Sequence, residues 1–125
     1  MLSVRPSPGK GRGVFAERRF AKGELIERAP VLVLAPADQA HVSQTRLDDY
    51  CYAWGEARDL LALALGYGSL YNHAFAPNAL YLRQPELDAL DFVALRDIEP
   101  GEEITINYNG RPDDLTPLWF PEVAG

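Results

Sequence analysis

The chain has 125 residues, 47% apolar and 24% charged, a length and composition that suit one domain with a real core. Its formal net charge of −6 disfavours direct nucleic-acid binding, and its single cysteine, Cys51, excludes an internal disulfide or a cysteine-built zinc site. No apolar run reaches the roughly 18 residues of a transmembrane helix, and the opening MLSVRPSPGKGRG lacks the apolar stretch of a signal peptide, so the expectation is a cytoplasmic protein without membrane contact.

The charge is uneven. Residues 1–28 carry seven Lys/Arg against three Asp/Glu, and residues 29–125 carry five against fifteen. The acidic larger part is suited to attracting a cationic, Lys-rich partner, although acidity also serves solubility alone.

Leu2 to Arg5 reads as an edge strand, and PSPGKGRG as a turn-rich stretch before Val14-Phe15-Ala16 resumes a strand. Glycines 11 and 13 let backbone approach a ligand closely, or simply form a flexible hairpin turn. Phe20 to Glu24 is a tight turn. Leu25 to Arg28 and Val31 to Leu34 read as two β runs separated by Pro30. Residues 36–49, PADQAHVSQTRLDD, show no clear period and read as a surface insertion with about one helical turn, on which His41 is solvated. Tyr50 to Trp54 suits a strand. DLLALALG (59–66) is ambiguous: Ala and Leu favour helix, but the period-two alternation and flanking glycines predict a strand. Cys51 has no basic partner and reads as a core or half-buried residue.

The stretch GYGSLYNHAFAPNA (66–79) fits neither helix nor ordinary strand, because Gly66, Gly68 and Pro77 interrupt it. Tyr67, Leu70, Tyr71 and Phe75 are nonetheless apolar or aromatic, which predicts a packed loop whose backbone must find hydrogen-bond partners. Ala79 to Arg83, Leu90 to Leu95 and Glu103 to Ile106 read as strands joined by the QPELDA and DIEPG turns. The last delivers Asn107-Tyr108-Asn109-Gly110. If alternation persists, Tyr108 shares the inward face of Ile104 and Ile106. Leu118-Trp119-Phe120 in the tail predicts that residues 111–125 fold back. The sum is a single mainly-β domain over 1–125, core about 3–110, with few short helices.

In this order, GRGVFA (11–16), AKGELI (21–26), YNHAFAPNA (71–79) and GEEITINY (101–108) resemble the SET domain of protein-lysine methyltransferases, over roughly residues 3–110. The likeness is to compact bacterial or viral members without a cysteine-rich module after the domain. It implies a β-clip-like fold of small curled sheets with a pseudoknot, in which the segment at Tyr71–Asn78 threads beside Gly101–Tyr108. It implies S-adenosylmethionine as methyl donor and no metal. By the same resemblance Gly11, Arg12, Gly13, Asn72 and His73 hold the donor, and Tyr108 is the catalytic tyrosine. Trp119 is a donor lid in place of the missing module, and Tyr67, Tyr71 and Phe120 line the lysine channel; core packing is the alternative for Tyr67 and Tyr71, and a dimer contact or core packing for Trp119 and Phe120. The implied partner is a Lys-containing basic protein or peptide. Ala74 and Phe75 depart from a frequent Ser-Cys pair, Ser69-Leu70 from Arg-Phe, and Asn107 from Asp. A catalytically weak SET-fold binding module and a dimeric interaction protein are the alternatives these departures leave open.

Overall fold

The computed structural model describes residues 1–118. Nine strands and one α-helix follow in the order β1 (Leu2–Ser7), β2 (Gly11–Ala16), β3 (Leu25–Val33), α1 (Pro36–Val42), β4 (Cys51–Trp54), β5 (Leu60–Ala64), β6 (Asn72–His73), β7 (Ala79–Gln84), β8 (Ala89–Ala94) and β9 (Glu103–Ile106). They form a four-stranded sheet, β1-β2-β9-β6, and a five-stranded sheet, β4-β5-β3-β8-β7. Both feed one apolar core that includes Val14, Phe20, Phe92, Ile98, Ile104 and Ile106, all without solvent exposure.

The mainly-β fold read from the sequence is the fold observed, with three local differences. The first is at Pro30. The two expected β runs are one nine-residue strand. Through Pro30, β3 pairs with β8, and from Val31 it pairs with β5. Proline lacks only the N–H; its carbonyl still accepts from Leu65 N at 2.8 Å, so the changeover falls where the missing donor is tolerated. The second is the insertion. It carries α1, which buries no residue, and then a 3-10 turn over Arg46–Tyr50 whose start is capped by Thr45 Oγ1 accepting from Leu47 N. The side chain of Gln39 ties α1 to β5, accepting from Leu61 N at 2.9 Å.

The third difference lies in the central loop. Asn72 and His73 form a two-residue strand running parallel to Thr105 and Ile106. Beyond it, Ala74 N donates to Ile106 O at 2.9 Å. The buried Asn78 grips β9 twice: its Nδ2 donates to Glu103 O at 2.8 Å and its Oδ1 accepts from Thr105 N at 2.9 Å. The apolar loop thus meets the demand for backbone partners by lacing itself to β9, the threading that the resemblance implied. Close packing needs glycine here: a Cβ on Gly68 would stand 2.6 Å from Ala64 Cβ and 3.0 Å from Ala29 Cβ. DLLALALG is β5, as its alternation predicts; among its residues Ala62 and Ala64 are buried.

Candidate functional site

The site is built where β2, β6 and β9 meet. Gly13 lies beside the side chains of Asn72 and Glu103. A Cβ at Gly13 would sit 2.2 Å from Glu103 Oε2 and 2.7 Å from Asn72 Nδ2. In the space left by the absent side chain, Asn72 Nδ2 donates to Arg12 O (2.9 Å) and to Glu103 Oε2 (2.7 Å). Glu103 also accepts from Ser7 Oγ at 2.9 Å. Strand β2 is therefore held against β9 by side chains as well as by its ladder.

Tyr108 follows β9 and is fixed at both ends. Its N–H donates to His73 Nδ1 at 2.9 Å, and its hydroxyl donates to Tyr71 O at 2.6 Å. Burial, with smaller contributions from Tyr50 and Glu103, pushes its phenol up to about 12. The group stays protonated at neutral pH and its one proton is engaged by Tyr71 O, so the oxygen can offer lone pairs to an incoming donor. Residues 104–107 are all buried, so strand alternation does not single out a face for Tyr108; its orientation comes from these two hydrogen bonds. The loop beyond is pinned by Asn107 Nδ2 donating to Asp114 O (2.6 Å) and Asn109 Nδ2 to Thr116 O (2.9 Å). Asn107 is buried and acts as a backbone clamp.

Two cavities of about 390 Å³ each open on Tyr108, within the usual size of small-ligand sites. Lys10, Gly11, Arg12, Arg46 and Asn72 line one. The other is aromatic, with Tyr52, Tyr71 and Tyr81 in its wall. Tyr50 and Ser69 border both, as Tyr108 does. Ser69 Oγ donates to Tyr50 O (3.2 Å) and Ala64 O (2.8 Å), which anchors the insertion at the junction. Tyr71 donates its hydroxyl to Glu27 Oε1 at 2.7 Å and stacks on Phe92 at 4.3 Å. Burial raises the phenols of Tyr52, Tyr71 and Tyr81, so these tyrosines stay neutral, and the charge in this wall comes from Asp49, Arg58, Arg83 and Arg111.

Of the residues singled out in the sequence, Gly11, Arg12, Asn72, Tyr71 and Tyr108 line these cavities. Gly13 sits behind them as the close-approach position. The His73 ring braces Tyr108 from behind, 5.2 Å from its ring, and is not in either cavity wall. Tyr67 also lies outside both walls: its N–H donates to Glu27 Oε2 and its hydroxyl to Leu2 O, in the packing alternative kept for it. Trp119 and Phe120 fall outside the described residues. Sequence reading missed Glu103, the tyrosines at 50, 52 and 81, and Arg46. Tyr50 and Tyr52 sit two apart in a β run, a spacing that places both on one face; nothing local linked Arg46 or Tyr81 to the site.

Curled sheets laced through β6 and β9, with two cavities meeting at one half-buried phenol, define a SET-type β fold. The chain belongs to the SET domain family, whose sequence profile matches residues 11–109. It is similar to a histone-lysine N-methyltransferase specific for H3 lysine-37 from Schizosaccharomyces pombe, 34% identical over 98% of this chain and 79% of that protein. It also resembles the histone-lysine N-methyltransferase Set8 of Drosophila melanogaster, 32% identical over 88% of this chain but only 18% of that larger protein. Among solved structures, a Plasmodium falciparum protein proposed to be a histone methyltransferase superposes with a TM-score of 0.63 at 28% identity, covering 86% of this chain and 96% of that one.

Proposed function

We propose that this protein transfers a methyl group from S-adenosylmethionine to the side-chain amine of a lysine in a protein substrate. The observation that carries this reading is the pair of cavities joined at Tyr108. The cationic cavity suits the donor: Lys10, Arg12 and Arg46 match a carboxylate, while Tyr50 and Tyr108 offer aromatic surface to a sulfonium. Bound there, the donor supplies an electrophilic methyl on a cationic sulfur, which departs as a neutral thioether keeping the bonding electron pair.

The chain's own residues do the rest. The tyrosine-lined cavity takes the lysine stem, and the cationic side chains of Arg58 and Arg83 in its wall favour the neutral amine over the ammonium, the proton having gone to solvent. Tyr108 oxygen accepts from the amine N–H and aims its lone pair across the junction. The amine nitrogen then forms the new N–C bond in line with the breaking S–C bond, in a space that excludes bulk water. Tyr71 O and His73 Nδ1 keep Tyr108 from turning. Asn72 and Gly13 keep the donor cavity's floor in register with β9.

Relatives named as histone-lysine methyltransferases and the net acidity of residues 29–125 support a lysine-bearing, predominantly basic protein segment as the substrate class. The test is transfer of labelled methyl from the donor into protein, with purified histones and a lysate as acceptors. Label on lysine supports the reading. Donor binding by calorimetry without any labelled protein would leave a binding module instead.

A further inference from the structure

The chain has ten arginines. Six are paired with carboxylates: Arg5, Arg18, Arg19, Arg28, Arg96 and Arg111. The other four, Arg12, Arg46, Arg58 and Arg83, have no carboxylate partner among the described residues, and all four line the two cavities, two in each; of the paired six, Arg111, with Asp113 as its partner, also lines the tyrosine-lined cavity. In a chain with 18 acidic residues such sorting leaves cationic charge where ligands enter. In the donor cavity it is accounted for by the donor's carboxylate. In the tyrosine-lined cavity it is not, because a lysine brings no negative charge.

Arg58 and Arg83 are also held in place. Arg83 Nε donates to Ala53 O at 2.7 Å, and its guanidinium lies 5.4 Å from the Tyr81 ring. Arg58 has left-handed backbone, φ 57, a costly conformation for a residue with a side chain. Its N–H and Nη1 both donate to Gly55 O, which closes the turn between β4 and β5. Both guanidiniums keep further N–H groups for an outside acceptor. Among the described residues Asp49 is the lone carboxylate in the same wall, and it lies beyond ion-pair distance of either.

We propose that Arg58 and Arg83 read a carboxylate side chain close in sequence to the target lysine, so that the preferred substrate carries Asp or Glu beside that lysine. This rests on the lysine-methyltransferase reading and refines it. The acidity of residues 29–125 still draws a basic segment at long range, while the rim selects an acid locally. A fixed guanidinium meeting a carboxylate gives a charge-assisted and, where geometry permits, bidentate hydrogen bond. The same two cations disfavour an ammonium in the cavity, which helps the lysine arrive as the neutral amine.

The test uses the full chain and fluorescent lysine peptides that differ by Glu, Gln or Lys at one flanking position at a time. Binding is read by anisotropy in the presence of S-adenosylhomocysteine, and methyl transfer in parallel with labelled donor. At one or two positions Glu should bind about tenfold tighter than Gln, the size of one charge-assisted hydrogen bond, and the advantage should shrink as salt rises. Arg58→Gln and Arg83→Gln should each reduce that Glu/Gln ratio, with thermal melting confirming that both variants are folded. Equal binding of Glu and Gln peptides at every position, or a ratio unchanged in both variants, overturns the proposal whatever the transfer assay gives. A Glu preference without methyl transfer to any peptide sustains rim selectivity and overturns the enzyme reading instead.

Discussion

The hydroxyl of Tyr108 donates to the main-chain carbonyl of Tyr71 at 2.6 Å. That single bond joins the end of β9 to the segment entering β6, and it fixes the phenol at the boundary of two cavities. With its proton committed to Tyr71 O, the oxygen has lone pairs to orient an amine. Tyr108→Phe removes this oxygen and keeps the ring, including its contact with His73 at 5.2 Å. We expect turnover to fall by roughly 10²-fold or more, the scale of one positioned polar group in a transition state. Donor affinity by calorimetry should change little. Near-normal single-turnover rates in the variant would remove Tyr108 from the mechanism.

Gly13 tests the donor floor. Its φ is not left-handed, so only space opposes a side chain there. Gly13→Ala places a methyl against Glu103 Oε2 and Asn72 Nδ2 and must push apart a pair now 2.7 Å from each other. Loss of the Asn72 bonds to Arg12 O and Glu103 should cost about 1–3 kcal/mol in denaturant unfolding and weaken donor binding. Asn72→Ala should produce a similar loss by the direct route. Unchanged unfolding midpoint and donor affinity in Gly13→Ala would mean that β2 yields freely and that the close approach is incidental.

How far the sequence revealed this site depends on whether a residue's partner was local. The period-two run of β5 and the PG turn before β9 are local patterns, and both are seen in the structure. Pro30 was read as a break because a local rule treats proline as ending a strand; the carbonyl side of that strand, serving Leu65, is a tertiary fact. The role of Asn72 was implied by the family motif, but its partners Arg12 and Glu103 lie 60 and 31 residues away. Likewise the tyrosines at 50, 52 and 81 reach one cavity only after β4, β5 and β7 have taken their places in the sheet. Nothing in the sequence singles out Arg58; what distinguishes it is a left-handed backbone angle and the lack of an ion pair among the described residues despite Glu56 and Asp59 beside it in the chain, neither of which sequence spacing encodes.

Alkaline pH should unfold the protein from its tyrosines. Burial pushes Tyr108 up to about 12 and raises Tyr52, Tyr71 and Tyr81 above the ordinary value near 10. The folded state therefore holds phenolic protons that the unfolded chain releases. Their contribution is fully present below pH ~10 and is lost as pH rises through the folded values. Denaturant midpoints should be insensitive to these groups at neutral pH and fall steeply above pH ~10. Tyrosinate absorbance should appear together with loss of circular dichroism. Gradual ionisation of all six tyrosines well before unfolding would show that the aromatic cavity is wetter than its geometry indicates.

The lacing itself is tested at Asn78, a buried amide that bonds both Glu103 O and Thr105 N on β9. Asn78→Ala leaves a buried carbonyl and a buried N–H unpaired, at about 1–3 kcal/mol each before relaxation. Asn78→Asp is the more informative change because it keeps the shape. One carboxylate oxygen can still accept from Thr105 N, but the other faces the Glu103 carbonyl, acceptor against acceptor. When protonated, that oxygen becomes a donor and restores the second bond. The folded state should thus raise this carboxyl above its unfolded value, near 3.9. The stabilisation is fully present below that unfolded value and is lost as pH rises through the folded one. Relative to the parent chain, Asn78→Asp should be strongly destabilised at neutral pH and recover toward parity on acidification, whereas Asn78→Ala should show a deficit that does not depend on pH. Denaturant unfolding of all three proteins across the acid range measures this. Parallel pH profiles for the two variants would mean that Asn78 faces water rather than the β9 backbone, and the interlaced core would need to be redrawn at that point.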